Sequence, residues 1–145
     1  MRGCAATASP TPVDDEAAPV SGELRCHDED GMNDAMDWCE GLPAAVTVTD
    51  HEGTIVAMNA RARETFAAEG GGALVGRSVF DCHPARARER LRRLFETRAA
   101  NHYTVSKKGQ RKIIHQLPWT KDGVFAGMVE ISVLIPETLP HFDRD

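Results

Sequence analysis

The stretch Ala45–Asn59, AVTVTDHEGTIVAMN, constrains this chain more than any other. Val46 and Val48 alternate with Thr47 and Thr49, the period of a strand with one face buried. Asp50-His51-Glu52-Gly53 then offers an acidic opener and a closing glycine for a tight turn, and Thr54 to Met58 is apolar again. The pattern predicts two short strands joined as a hairpin. Asn59 follows at once, and its side-chain oxygen suits the capping of a free amide in the first turn of a helix, ARARETFAAE.

Segments on either side take their places from this hairpin. Residues 1–31 are rich in Ala, Pro, Ser and acidic residues and lack aromatic residues. Such a composition cannot bury enough apolar surface to offset its ordering entropy, so a disordered tail is expected. Translation from Met32 or Met36 is an alternative account of that head. Met32, Met36 and Cys39 fall at i, i+4 and i+7, one stripe of a short helix that Gly41 and Pro43 stop.

Beyond Asn59 a helix is expected to about Glu69, ended by a mobile Gly70-Gly71-Gly72 connection. Ala73–Asp81 reads as a helical turn or two broken at Gly76. Pro84 suits the first position of a longer helix, ARARERLRRLFETR, with Ala87, Leu91, Leu94 and Phe95 on its buried stripe and Arg86, Arg90 and Arg93 on an exposed face.

The last third reads as three strands: His102–Lys107, Arg111–Trp119 and Val124–Ile135, with turns at Lys108-Gly109 and Lys121-Asp122-Gly123. Apolar residues on both faces of the last strand predict a sheet covered on both sides. The helical middle supplies one cover; the Met32 helix, a partner subunit, or both supply the other. Residues 137–145 form a short C-terminal tail.

Composition narrows the function. At 145 residues, with 41% hydrophobic residues, the chain is sized for one domain plus a tail. No window approaches the ~18 uninterrupted apolar residues of a membrane helix, and no secretory signal is evident, so the cytoplasm is expected. A net charge of −5 argues against general nucleic-acid binding, which draws on excess cations. Glu89 and Glu96 among the helix arginines favour an ordinary solvated face. Cys4, Cys26, Cys39 and Cys82 show no CxxC spacing and read as reduced thiols. The pairs Cys26-His27 and Cys82-His83 lack the loop spacing of a zinc site. The Gly70–Gly72 run lacks the Lys-Ser/Thr of a phosphate loop. No Ser-His-Asp set or paired-carboxylate site stands out, so no enzyme is expected.

The order is short helix, two strands, several helices, three strands, an α+β arrangement on one antiparallel sheet. Asp50-x-x-Gly53-x-Ile55-x-x-x-Asn59, followed by Phe66, the Gly76 segment, a long helix and three strands, resembles the PAS domain over Met32 to Pro136. The resemblance implies a five-stranded sheet in the order 2-1-5-4-3, with helices enclosing a pocket against one face and the N-terminal helix on the other. It also implies a sensor that binds a small molecule or cofactor inside, forms a homodimer, and regulates a partner protein through its sheet. A ligand-free adaptor for dimerisation or docking is the alternative.

Within that frame, Asp81-Cys82-His83-Pro84 stands at the start of the long helix, and three roles are open. His83 could ligate a haem iron, though PAS haem sensors take their His from farther into this helix. Cys82 could act as a redox thiol, favoured by the helix dipole. Or Cys82 packs while Asp81 and His83 cap the helix. Flavin–thiol photochemistry is set aside: where light-sensing PAS domains read Gly-Arg-Asn-Cys, this chain reads Gly76-Arg77-Ser78-Val79, and Cys82 comes three residues too late. Leu91 and Phe95 on the helix, and Tyr103, His115, Gln116 and Trp119 on the strands, are the expected pocket wall.

Overall fold

The computed structural model describes residues 36–145, so the expected tail over 1–31, Met32 and the Cys26-His27 pair lie outside the described residues. Residues 36–40 are helical (α1). Strands β1 (Ala45–Thr49) and β2 (Ile55–Met58) follow, then helix α2 (Ala60–Thr65), two 3-10 turns at Ala67–Glu69 and Gly71–Leu74, and helix α3 (Ala85–Thr97). Strands β3 (Asn101–Lys107), β4 (Gln110–Lys121) and β5 (Val124–Leu134) complete one sheet in the order β2-β1-β5-β4-β3. Neighbouring strands are antiparallel throughout. The expected architecture is the observed one.

Local chemistry sets each connection. In the first hairpin the Asp50 carboxylate accepts the amides of Glu52 (3.0 Å) and Thr54 (2.8 Å), while Gly53 closes the turn by donating to the Asp50 carbonyl. The two later hairpins turn on Lys108-Gly109 and Asp122-Gly123, with all four φ angles between 51° and 78°. Such paired left-handed residues match the twist of the flanking strands. Pro118 is tolerated in β4 because it lies beyond Gln116, where β3 has ended and β4 pairs with β5 alone.

Asn59 ties these parts together. It is fully buried. Its Oδ1 accepts from the Val46 amide at 2.9 Å and from the Ala62 amide at 3.0 Å. Its Nδ2 donates to the Cys39 carbonyl at 2.9 Å and the Ala44 carbonyl at 2.8 Å. One amide thus caps α2, as expected, and also fixes the end of α1, the loop after it and the first strand. A Glu40–Arg63 ion pair adds a second link between α1 and α2.

The middle of the chain departs from expectation. Instead of running to Glu69, α2 ends at Thr65 with Phe66 as its cap, and the Phe66 carbonyl accepts from Glu69 and Gly71 in tighter turns. The glycine run is not an open connection: Gly71 is buried, and a Cβ there would stand 3.2 Å from the Arg63 carbonyl oxygen. Nor is Ala73–Asp81 helical beyond Leu74. Arg77 and Gly76 exchange backbone hydrogen bonds with Ile55, and Val79 donates to the Gly53 carbonyl. This segment lies along β2 and covers that edge of the sheet, which would otherwise expose unpaired amides.

Two apolar layers flank the sheet. On the inner side Ala45, Ile55, Met58, Ala62 and Leu74 pack with Phe66 and Val79. On the outer side Val46, Val48 and Ala57 pack with Met36, Leu42, Trp119 and Val129. Helix α3 is held more lightly. Of the expected stripe only Leu91 is buried, and Ala87, Leu94 and Phe95 are half-buried. An aromatic chain anchors its C-terminal half, Phe80 to Phe95 at 5.2 Å and Phe95 to Phe125 at 6.2 Å, both edge-on.

Asn59→Ala leaves four backbone groups without their partner and is expected to cost roughly 3–5 kcal/mol by urea denaturation; a loss below about 1 kcal/mol would mean that these groups are satisfied otherwise. Gly127 has a φ of 149° in β5, and a Cβ there would collide with the Thr49 carbonyl. Gly127→Ala is expected to destabilise by roughly 2 kcal/mol or more on the same measurement.

Candidate functional site

Between the sheet and α3 lies a cavity of about 330 Å³. Strand parity decides which side chains reach it. Residues paired across the sheet share a face, so the row Asn101–Gln116–Glu130–Thr47 runs across β3, β4, β5 and β1 on the inner side. Tyr103, Ile114 and Ser132 form the next row, again facing inward. Leu91 and Phe95 of α3, Phe66, Leu74 and Met128 give the cavity its apolar wall.

The central row is a chain of hydrogen bonds. Asn101 Nδ2 donates to Gln116 Oε1 at 2.8 Å, and Gln116 Nε2 donates to Glu130 Oε2 at 2.9 Å. Gln116 is buried, and both ends of its amide are used. This satisfies a buried polar group that would otherwise destabilise the sheet. Tyr103 stands beside this row. Partial burial raises its phenol above the ordinary value although 40% of the residue stays exposed, the charge of Glu130 raises it further, and Arg90 opposes both.

At the start of α3, His83 lines the cavity and its Nδ1 lies 2.7 Å from the Val79 carbonyl, to which it donates. Cys82 also lines the cavity but is exposed, with its thiol 3.5 Å from the Ser78 carbonyl. No metal-holding group of three or more His, Cys, Asp or Glu occurs among the described residues.

The structure therefore gathers Cys82, His83, Leu91, Phe95 and Tyr103 around one cavity, together with Gln116. It removes His115 and Trp119. His115 pairs with Ile131 and Trp119 with Gly127, on the outer face. There His115 Nδ1 meets His102 Nδ1 at 2.8 Å, and Trp119 Nε1 donates to the Thr49 carbonyl at 2.9 Å. Their partners are within the protein, and they pack on the side that faces away from the cavity. Glu130, Thr47 and Met128 line the cavity without having been singled out. Glu130 had a legible signal: a carboxylate in the middle of the apolar strand MVEISVL, at the parity of Met128.

A family model described as the PAS fold matches residues 39–132, and the chain belongs to that family. No curated protein matches it in sequence. Among solved structures it is similar to the PAS domain of BvgS from Bordetella pertussis, with a TM-score of 0.57 and 21% identity over 74% of this chain and 88% of that one. A C-terminal domain from Streptococcus mutans gives a TM-score of 0.57 and 20% identity over 70% and 82%. The VqmA dimer of Vibrio cholerae gives 0.55 and 17% over 72% and 52%. These likenesses bear out the fold. Among the described residues no helix is long and apolar enough to cross a membrane.

Tyr103 is the only tyrosine of the chain, so phenolate absorbance reports on this one residue at the cavity's edge. A raised phenol favours the neutral form in the fold; the stability this gives is present below the unfolded value and is lost as pH rises through the folded one. Alkaline titration of the folded protein is expected to end above the ordinary tyrosine value of about 10. Glu130→Gln should bring the value part of the way back, and no change would separate the two groups.

Proposed function

We propose that this chain is a signal-sensing PAS module: a small molecule binds in the cavity, and its occupancy alters how the outer sheet face meets a regulatory partner, with a second copy of the chain as dimer mate. The supporting observation is the cavity itself. It combines an apolar wall with a few fixed polar groups, the usual make-up of a small-molecule site, at a volume near the lower end for such sites. Its roof, α3, is the helix with the fewest buried residues for its length, which suits an element that must shift. A ligand can bias such a shift only if it binds one arrangement better than the other. The outer face offers Ile113, Leu117, Ile131 and Val133, half-buried apolar residues that a partner would cover.

A cofactor at His83 fits this cavity poorly. Donation of Nδ1–H to Val79 leaves Nε2 to serve as an iron ligand, which favours haem. Yet the wall facing α3 carries Tyr103, Gln116 and Glu130, and an apolar macrocycle laid against them would bury a carboxylate whose hydrogen bond comes from the neutral Gln116 amide and whose charge no cation pairs among the described residues. The small organic ligand is the better reading.

Native mass spectrometry of the protein from its own host should show a small organic adduct. Leu91→Trp, which fills the cavity, should abolish it. An adduct-free dimer whose partner binding ignores Leu91→Trp would instead support a ligand-free adaptor. Added haemin should give no Soret band of a ligated iron; such a band, lost in His83→Ala, would overturn the organic-ligand reading.

A further inference from the structure

We infer that the cavity takes a ligand with an apolar ring body and a hydrogen-bond-donating head, such as a protonated amine, and that the free oxygen of Glu130 receives that head. The inference rests on the cavity being a ligand site. Asn101 donates to Gln116 Oε1, so the Gln116 amide is oriented with its Nε2 toward Glu130. That bond occupies Glu130 Oε2 and fixes the carboxylate in the row; Glu130 lines the cavity, and its Oε1 accepts no hydrogen bond from the described residues. The ion pairs among the described residues are Arg61–Glu64 and Arg63–Glu40, and Glu130 belongs to neither. A carboxylate held in place beside an apolar wall, and outside both of these ion pairs, favours a donor over an anion in its own row.

The other charged groups at the cavity do not reverse this. Lys112 lies four residues from Gln116 along β4, next to Leu134 and Val105 toward the far end of the sheet. Lys107 lies beyond it, and Glu69 adds a second negative charge. Glu130 sits instead in the row that ends on Thr47 and Met58, close to the packed interior. A ring seated against Leu91, Phe95 and Ile114 would place its head group in that row.

The test is calorimetric titration of the full chain with three compounds that share one ring: 2-naphthylmethylamine, 2-naphthylmethanol and 2-naphthoate. The amine is expected to bind about tenfold or more tightly than the naphthoate, the alcohol between them, as charge-assisted hydrogen bonds require. Glu130→Gln should bring the amine to within about threefold of the alcohol. The wild-type ratio decides even if that variant folds poorly. Naphthoate binding as well as the amine would overturn the donor rule yet leave the cavity a ligand site. An amine preference unmoved in a folded Glu130→Gln protein would remove Glu130 as the recognising group. No binding by any of the three would count against the inference and the ligand-binding function together.

Discussion

The structure depends first on one buried amide. Asn59 makes all four of its side-chain hydrogen bonds, and each goes to a different piece of backbone. Two strands of five and four residues have little apolar area with which to fix the positions of the elements around them. A fully satisfied polar group does so by geometry instead, since any shift of α1, β1 or α2 would leave a buried donor or acceptor unpaired. The hairpin before it is set by Asp50 in the same way, through two backbone amides. Together these two short polar side chains establish the register from which the inner and outer faces of the sheet follow.

Register, once set, divides the chemistry. The inner core is dense where α2 and the 3-10 turns press on β1 and β2, and it opens where α3 spans β3 to β5. The opening follows from the sequence of α3. Its arginines and glutamates leave Leu91 as the one buried side chain, and Phe95 reaches the sheet through Phe125 rather than by close packing along the helix. Arg92 and Arg98 add guanidinium contacts to the Phe80 and Phe125 rings, at 5.9 and 5.2 Å. Such contacts are weak where exposed, and they tolerate sliding. A helix fastened mainly through its C-terminal half, over a wall with a fixed polar row, is suited to respond to what lies beneath it.

Much of this was legible in the residues, and the misreadings have physical causes. The hairpin, the cap at Asn59, the three C-terminal strands and their turns all rest on local chemistry, which sequence displays. His115 and Trp119 were misplaced by weighing residue type above parity. Ile113, His115, Leu117 and Trp119 share one face by the period of two, so His115 and Gln116 had to point to opposite sides. The same rule would have put Glu130 beside Gln116's row once β4 and β5 were paired. The extended course of Gly76 to Val79 was not legible because its backbone is fixed by long-range hydrogen bonds to Gly53 and Ile55, which no local pattern announces.

Under the proposed function, the same alternation supplies a route between ligand and partner. Glu130 and Ile131 are consecutive in β5, one at the inner face and one at the outer. Ile131 is paired with Val46 and His115, and Val46 in turn is bonded to Asn59. A ligand that pulls on Glu130 therefore acts on a strand whose next residue lies in the surface a partner would cover. β5 is hydrogen-bonded to β1 on one side and β4 on the other, so a pull on it is shared with both neighbours. The light fastening of α3 gives the ligand room to bind, and the stiff sheet gives its binding a direction.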